Sequence, residues 1–106
     1  MYAVIRRYTS KQSGLTKDNI KQVTQRIDHD FVPQLHDVSG FHGYYAMNVN
    51  DRELVTISIC ETKAGTTETT RRAADFVKKD PLKAALGTPE VFEGELLVVK
   101  ETVAAR

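Results

Sequence analysis

A chain of 106 residues with 41% apolar, 8% aromatic and 27% charged side chains has the size of one globular domain, spanning 1–106, and can bury a core without disulfides. Fifteen Lys plus Arg against fourteen Asp plus Glu leave a formal charge of +1, too little field for a polyanion, so no nucleic-acid partner is expected. The lone Cys60 excludes a disulfide scaffold and a cysteine-built metal cage; without a signal-peptide core or an apolar run near the roughly 18 residues of a membrane span, a cytoplasmic protein with no membrane contact is expected.

Residues Tyr2 to Tyr8, with Val4, Ile5 and two tyrosines, read as a strand that Ser13, Gly14 and Thr16 break. From Leu15 to about His36, apolar residues recur at Ile20, Val23, Ile27, Phe31 and Leu35, one helical stripe opened by Thr16 and Asn19. Pro33 lies inside that pattern and is expected to remove a backbone hydrogen bond and bend the last turn. After Ser39 and Gly40, Phe41 to Val49 reads as a second strand, and Asn50 to Arg52 as a polar turn. Glu53 to Glu61 alternates Val55, Ile57 and Ile59 with Leu54, Thr56, Ser58 and Cys60, which completes a hairpin. Ala64 to Lys79 reads as the second helix, with a further turn from Leu82 to Leu86 beyond Pro81. Gly87 to Pro89 form a loop, and Val91 to Glu101, with Leu96 to Val99, reads as the last strand.

The order β, α, β, β, α, β is that of an α+β, ferredoxin-like fold, a four-stranded antiparallel sheet with two helices on one face. Apolar residues fall on both faces: Phe41, Tyr45, Met47 and Val49 oppose Tyr44 and Ala46, and Phe92, Leu96 and Val98 oppose Val91, Leu97 and Val99. Helices cover only one face, and a bare apolar sheet exceeds what a soluble monomer tolerates. A homodimer through the open sheet face is therefore expected.

Four stretches add a resemblance to this outline. The runs Asp30-Phe31-Val32-Pro33-Gln34-Leu35 and Ser39-Gly40-Phe41-His42-Gly43-Tyr44-Tyr45 resemble the first-helix end and second-strand start of the antibiotic biosynthesis monooxygenase-like group of dimeric α+β barrels. Arg72 to Val77 and Glu90 to Leu96 are similar to its second helix and last strand. The resemblance implies sheet-to-sheet homodimers that hold a small apolar or aromatic ligand between sheet and helices. It also implies, for some members, oxidation of aromatic or quinol-like substrates by dioxygen with no cofactor. The haem-degrading members use a first-strand Asn, a sheet Trp and a helix His, none of which this chain has in those places, so haem is not expected.

Histidine is the side chain best suited to proton transfer near neutral pH. His29 and His36 fall opposite the apolar stripe and should face solvent. His42 alternates with Tyr44; in one phase both line a cavity under the helices as candidate catalytic residues, in the other His42 points to a partner subunit or a strand end. Tyr2, Tyr8, Tyr44 and Tyr45 are candidates to orient a phenolic ligand, or else pack in the cores. Arg6 and Arg7 are strand neighbours, so one of them must face the covered side, where it needs either an internal carboxylate such as Glu61 or Glu95, or a ligand oxyanion. Thr70 shares a helical stripe with Thr66, Ala73 and Val77, small residues that either leave room for a ligand or allow close helix packing. The candidate substrate-binding set is thus Arg6, Arg7, Tyr8 and Thr70. No metal site is expected, and Cys60 reads as a small buried thiol. Two functions stay open, a cofactor-independent monooxygenase and a non-catalytic binding or structural module, because fold alone decides neither.

Overall fold

The computed structural model describes residues 1–9 and 15–101, so Ser13 and Gly14 lie outside the described residues. Four strands, β1 (Tyr2–Thr9), β2 (Phe41–Val49), β3 (Glu53–Cys60) and β4 (Glu90–Glu95), form one antiparallel sheet in the order β2-β3-β1-β4. The helices α1 (Lys17–Arg26), α2 (Lys63–Lys79) and the short α3 (Lys83–Leu86) complete the expected ferredoxin-like arrangement.

Thr16 and Asn19 close a capping box: the Thr16 hydroxyl accepts from the Asn19 amide at 3.0 Å and the Asn19 side chain accepts from the Thr16 amide at 3.3 Å. Past Arg26 the helix widens to a π turn over Ile27–Phe31, then tightens to a 3-10 turn over Val32–Leu35 that contains Pro33. The bend expected at Pro33 is spread over these two turns, because the backbone reroutes its hydrogen bonds around the proline's missing N–H. The change of pitch keeps Ile27, Phe31 and Leu35 buried on one side. In the β2–β3 hairpin, Asn50 and Asp51 adopt φ of 56° and 58°. Those left-handed values define the turn whose twist matches paired strands, and Asn and Asp adopt them at little cost.

Two strand assignments are corrected. Register along β2 shifts between Phe41 and Gly43, so a bulge at His42 turns Phe41 toward the core rather than onto the face of Tyr45 and Met47. The last strand ends at Glu95, not Glu101. Its one partner is β1, paired from Arg7 opposite Glu90 to Tyr2 opposite Glu95, and the Leu96 amide reaches the Met1 carbonyl at 2.9 Å. Past Leu96 no described strand pairs with this segment, and Leu97, Val98 and Val99 are exposed, Leu97 by 86%.

The core lies under α1 and the inner end of α2. Ile20, Val23, Ile27, Phe31 and Leu35 pack with Tyr8, Leu54, Ala73 and Leu86, while Phe31 meets Tyr44 edge-on at 5.7 Å and Phe76 at 5.1 Å. The opposite face of the sheet has no helix. Tyr45, Met47 and Phe92 stand exposed there beside the half-buried Ile5, Val55, Ile57 and Ile59. The accessible surface, 7135 Å², exceeds the roughly 6,000 Å² that size scaling gives a monomer of this mass.

Candidate functional site

Alternation along β1 sends Val4, Arg6 and Tyr8 under the helices and Arg7 to the bare face. Arg7 there bridges Glu53 at 2.9 Å and Glu90 at 3.3 Å and is not part of the covered side. Arg6 is the largest of the fully buried side chains, 1% exposed. Its Nε donates to Thr56 Oγ1 at 3.2 Å, Nη1 to Thr70 Oγ1 at 2.9 Å and Nη2 to Ser58 Oγ at 2.6 Å. The expected internal carboxylate is absent from this set: Glu61 meets His42 and Glu95 is exposed at the far end of β4. Hydroxyls took the place of an acid because Thr56 and Ser58 sit opposite or next to Arg6 in register on β3, whereas Glu61 lies beyond the end of that strand.

Thr70 reaches Arg6 because α2 lies close on the sheet. Gly65 permits the approach: a Cβ there would meet Cys60 Cβ at 2.9 Å. Thr62 caps the helix by accepting from the Gly65 amide at 3.2 Å, so the cap precedes the threonine stripe. Thr66, whose hydroxyl donates to Glu93 on β4 at 2.8 Å, and Thr69 are fully buried beneath it.

Two spaces adjoin this cluster. The first, bounded by Tyr44, Phe31, Leu54 and Phe76, encloses only about 10 Å³, at most one water. The second is an open cleft of about 470 Å³ on the α2–β4 side, with Arg6, Tyr8 and Thr70 at its floor, within the size range of small-molecule sites. Its walls are Ala74, Val77 and Lys78 of α2 facing Lys83, Pro89 and Val91. The structure thus brings Arg6, Tyr8 and Thr70 together at the cleft; Tyr44 also hydrogen-bonds with Arg6 but lines the packed interior instead of the cleft, and His42 lies outside both spaces. The bulge accounts for His42: it leaves the alternation shared with Tyr44, and the exposed imidazole Nε2 sits 3.3 Å from Glu61.

Burial raises the Tyr8 hydroxyl to about 12, against the pull of Arg6, and raises Tyr44 in the same way, with Arg6 and Thr56 opposing. Both phenols are neutral donors at neutral pH. Burial also pushes the Cys60 thiol up, away from nucleophilic reactivity. His29 and His36 are exposed, as their helical positions imply. Among the described residues no group of three or more His, Cys, Asp or Glu could hold a metal ion, and no helix is long and apolar enough to cross a membrane.

Sequence reasoning missed Ser58 and Thr56 as partners of Arg6, and Lys78 and Lys83 on the cleft rim. The signal for the first pair was present, since Thr56 and Ser58 interrupt an inward strand face with hydroxyls.

With the cleft defined, its architecture can be set beside solved structures. The chain is similar to a monooxygenase from Streptomyces coelicolor in complex with nanaomycin D, with TM-score 0.72 and 10% identity over 96% of this chain and 92% of that one. It has the ferredoxin-like fold of the antibiotic biosynthesis monooxygenase-like proteins. A dimeric ferredoxin-like protein from an uncultured marine organism matches with TM-score 0.60 and 13% identity, over 95% of this chain and 97% of that one. A variant of a cofactor-independent oxygenase from Streptomyces nogalater matches with TM-score 0.54 and 13% identity, over 96% and 95%. No protein-family model and no curated protein matches the sequence. At these identities the likeness to monooxygenase-like proteins is one of fold.

Proposed function

We propose that this protein is a homodimer, paired through its bare sheet face, in which each subunit binds a small aromatic or quinol-like molecule in the cleft and oxygenates it without a cofactor. The observation that carries the reading is a buried guanidinium and a neutral phenol at the floor of a cleft of small-molecule size. The fold shared with two oxygenases supports the reaction class, and the dimeric ferredoxin-like neighbour supports the assembly.

The chemistry asks little of the protein. A substrate phenol loses its hydroxyl proton to solvent at the open side of the cleft, giving a phenolate whose conjugated ring carbon is electron-rich and still carries its hydrogen. Its electron pair reduces dioxygen and forms a carbon–oxygen bond as a hydroperoxide. Loss of water then leaves a carbonyl, so one oxygen atom enters the product, the other departs as water, and the substrate supplies the electrons. Arg6 stabilises the developing oxyanion, the Tyr8 hydroxyl donates to it, and Val77, Pro89 and Val91 give the substrate's ring an apolar wall. His42 and Tyr44 have no part in this scheme, because neither lines the cleft.

One observation favours the second reading, a binding module without catalysis: among the described residues no His, Asp or Glu lines the cleft to take the substrate proton. Oxygen uptake against a panel of quinols and polyphenols separates the two. Uptake that falls at least tenfold in Tyr8→Phe or Arg6→Met supports the oxygenase; binding with no uptake from any of them supports the module.

A further inference from the structure

We propose that the cleft selects ligands that carry a permanent carboxylate on an apolar body, with Arg6 as the group that receives the carboxylate. The inference rests on the cleft being the ligand site and adds the charge of its occupant.

Arg6 differs from other paired arginines of this chain. Arg7, Arg26, Arg71 and Arg72, four of the other arginines, each meet a carboxylate, whereas Arg6, the most buried of these five, meets hydroxyls. Hydroxyl dipoles orient around a cation without cancelling its charge, and an uncompensated charge in a low-dielectric setting attracts an anion strongly. A guanidinium has five N–H donors; Thr56, Thr70 and Ser58 take three of them and the Tyr44 hydroxyl also hydrogen-bonds with the group, all of them neutral partners. The Tyr8 phenol stays protonated up to about 12 and cannot supply the missing charge, but its hydroxyl is a further donor to a bound oxyanion.

The rest of the cleft agrees. Among the described residues, Lys78 and Lys83 are the other charged groups lining it and no acid does; these cations around one space, in a chain of net charge +1, focus a positive potential there. The remaining walls, Ala74, Val77, Pro89 and Val91, are apolar. One planar guanidinium at the floor of an apolar slot matches one planar carboxylate at the end of an apolar molecule.

The test is calorimetric titration of the intact chain with 2-naphthoate and with its neutral isostere 2-naphthamide. The acid is expected to bind about tenfold tighter or more, its affinity to fall with added salt, and Arg6→Met to abolish the preference. Should that variant not fold, Ala74→Trp, at an exposed α2 position on the cleft wall, closes the space and is expected to abolish naphthoate binding in a folded protein. Equal affinities for acid and amide, no naphthoate binding, binding unchanged by Ala74→Trp, or equally effective competition by inorganic phosphate overturns the proposal. Because the readout is binding, naphthoate selectivity without oxygen uptake by any substrate leaves this inference standing and removes the oxygenase reading. Turnover of neutral quinols with no acid preference does the reverse.

Discussion

Under the helices the middle of the sheet is polar: Arg6 lies among Thr56, Ser58 and Thr70, with Glu93 held by Thr66 a short way along. On the side without helices the middle is apolar, built from Ile5, Ile57, Tyr45 and Phe92, which are neighbours in register. A sheet that folded only to bury grease would place these groups the other way round. On the proposed reading, the polar covered centre receives a ligand and the apolar bare face receives a second subunit. Stability comes from a third place, the aromatic and aliphatic cluster beneath α1.

That division can be broken at each part. Phe31→Ala, in the cluster that carries stability, is expected to cost about 3–5 kcal/mol in denaturant unfolding. Ile57→Lys puts a charge at the centre of the bare face; it is expected to convert dimer to monomer in sedimentation, a loss of about 3 kcal/mol or more if the charge is buried unpaired. An unchanged dimer would place the interface elsewhere. Arg6→Met replaces the most voluminous buried side chain by an apolar one of similar volume but takes the donor from the buried Thr56 and Ser58 hydroxyls, and is expected to cost about 1–3 kcal/mol. A loss as large as that of Phe31→Ala would make Arg6 a structural residue.

Titrations give the smallest effects. Because the folded Tyr8 ionises near 12 and an ordinary tyrosine near 10, its contribution is whole below pH 10 and is lost as pH rises toward 12. Tyrosine absorbance should show this as a late step coincident with unfolding. Arg71 and Arg72 hold Glu68 down at about 2, against an ordinary 4.5, so its share is whole above pH 4.5 and fades as pH falls toward 2. Glu68→Gln should flatten that limb of an acid unfolding curve, by little because the pair is exposed.

Much of the fold was legible. The stripe of Ile20, Val23, Ile27, Phe31 and Leu35 and the alternation of β3 are periodic signals that burial imposes directly. The end of β4 was not, because Leu96 to Val99 have strand composition, and whether a strand lies beside them is decided by cross-strand register and not by composition. The site was half legible. Alternation required Arg6 or Arg7 to face inward, but the choice between a carboxylate and hydroxyls depends on cross-strand register, which no local pattern encodes.

By itself the sequence determined the element order, the helical stripe, the hairpin and a sheet apolar on the side its helices cannot cover, since each follows from chain-local periodicity and from the handedness of short connections. Only the tertiary structure decided that His42 leaves the shared face through a bulge, that Tyr44 is packed against Phe31 while Tyr8 borders open space, and that Arg6 is buried without an acid. Those outcomes depend on how strands and helices are offset against one another by fractions of a strand spacing, a quantity set by the packing of the whole domain.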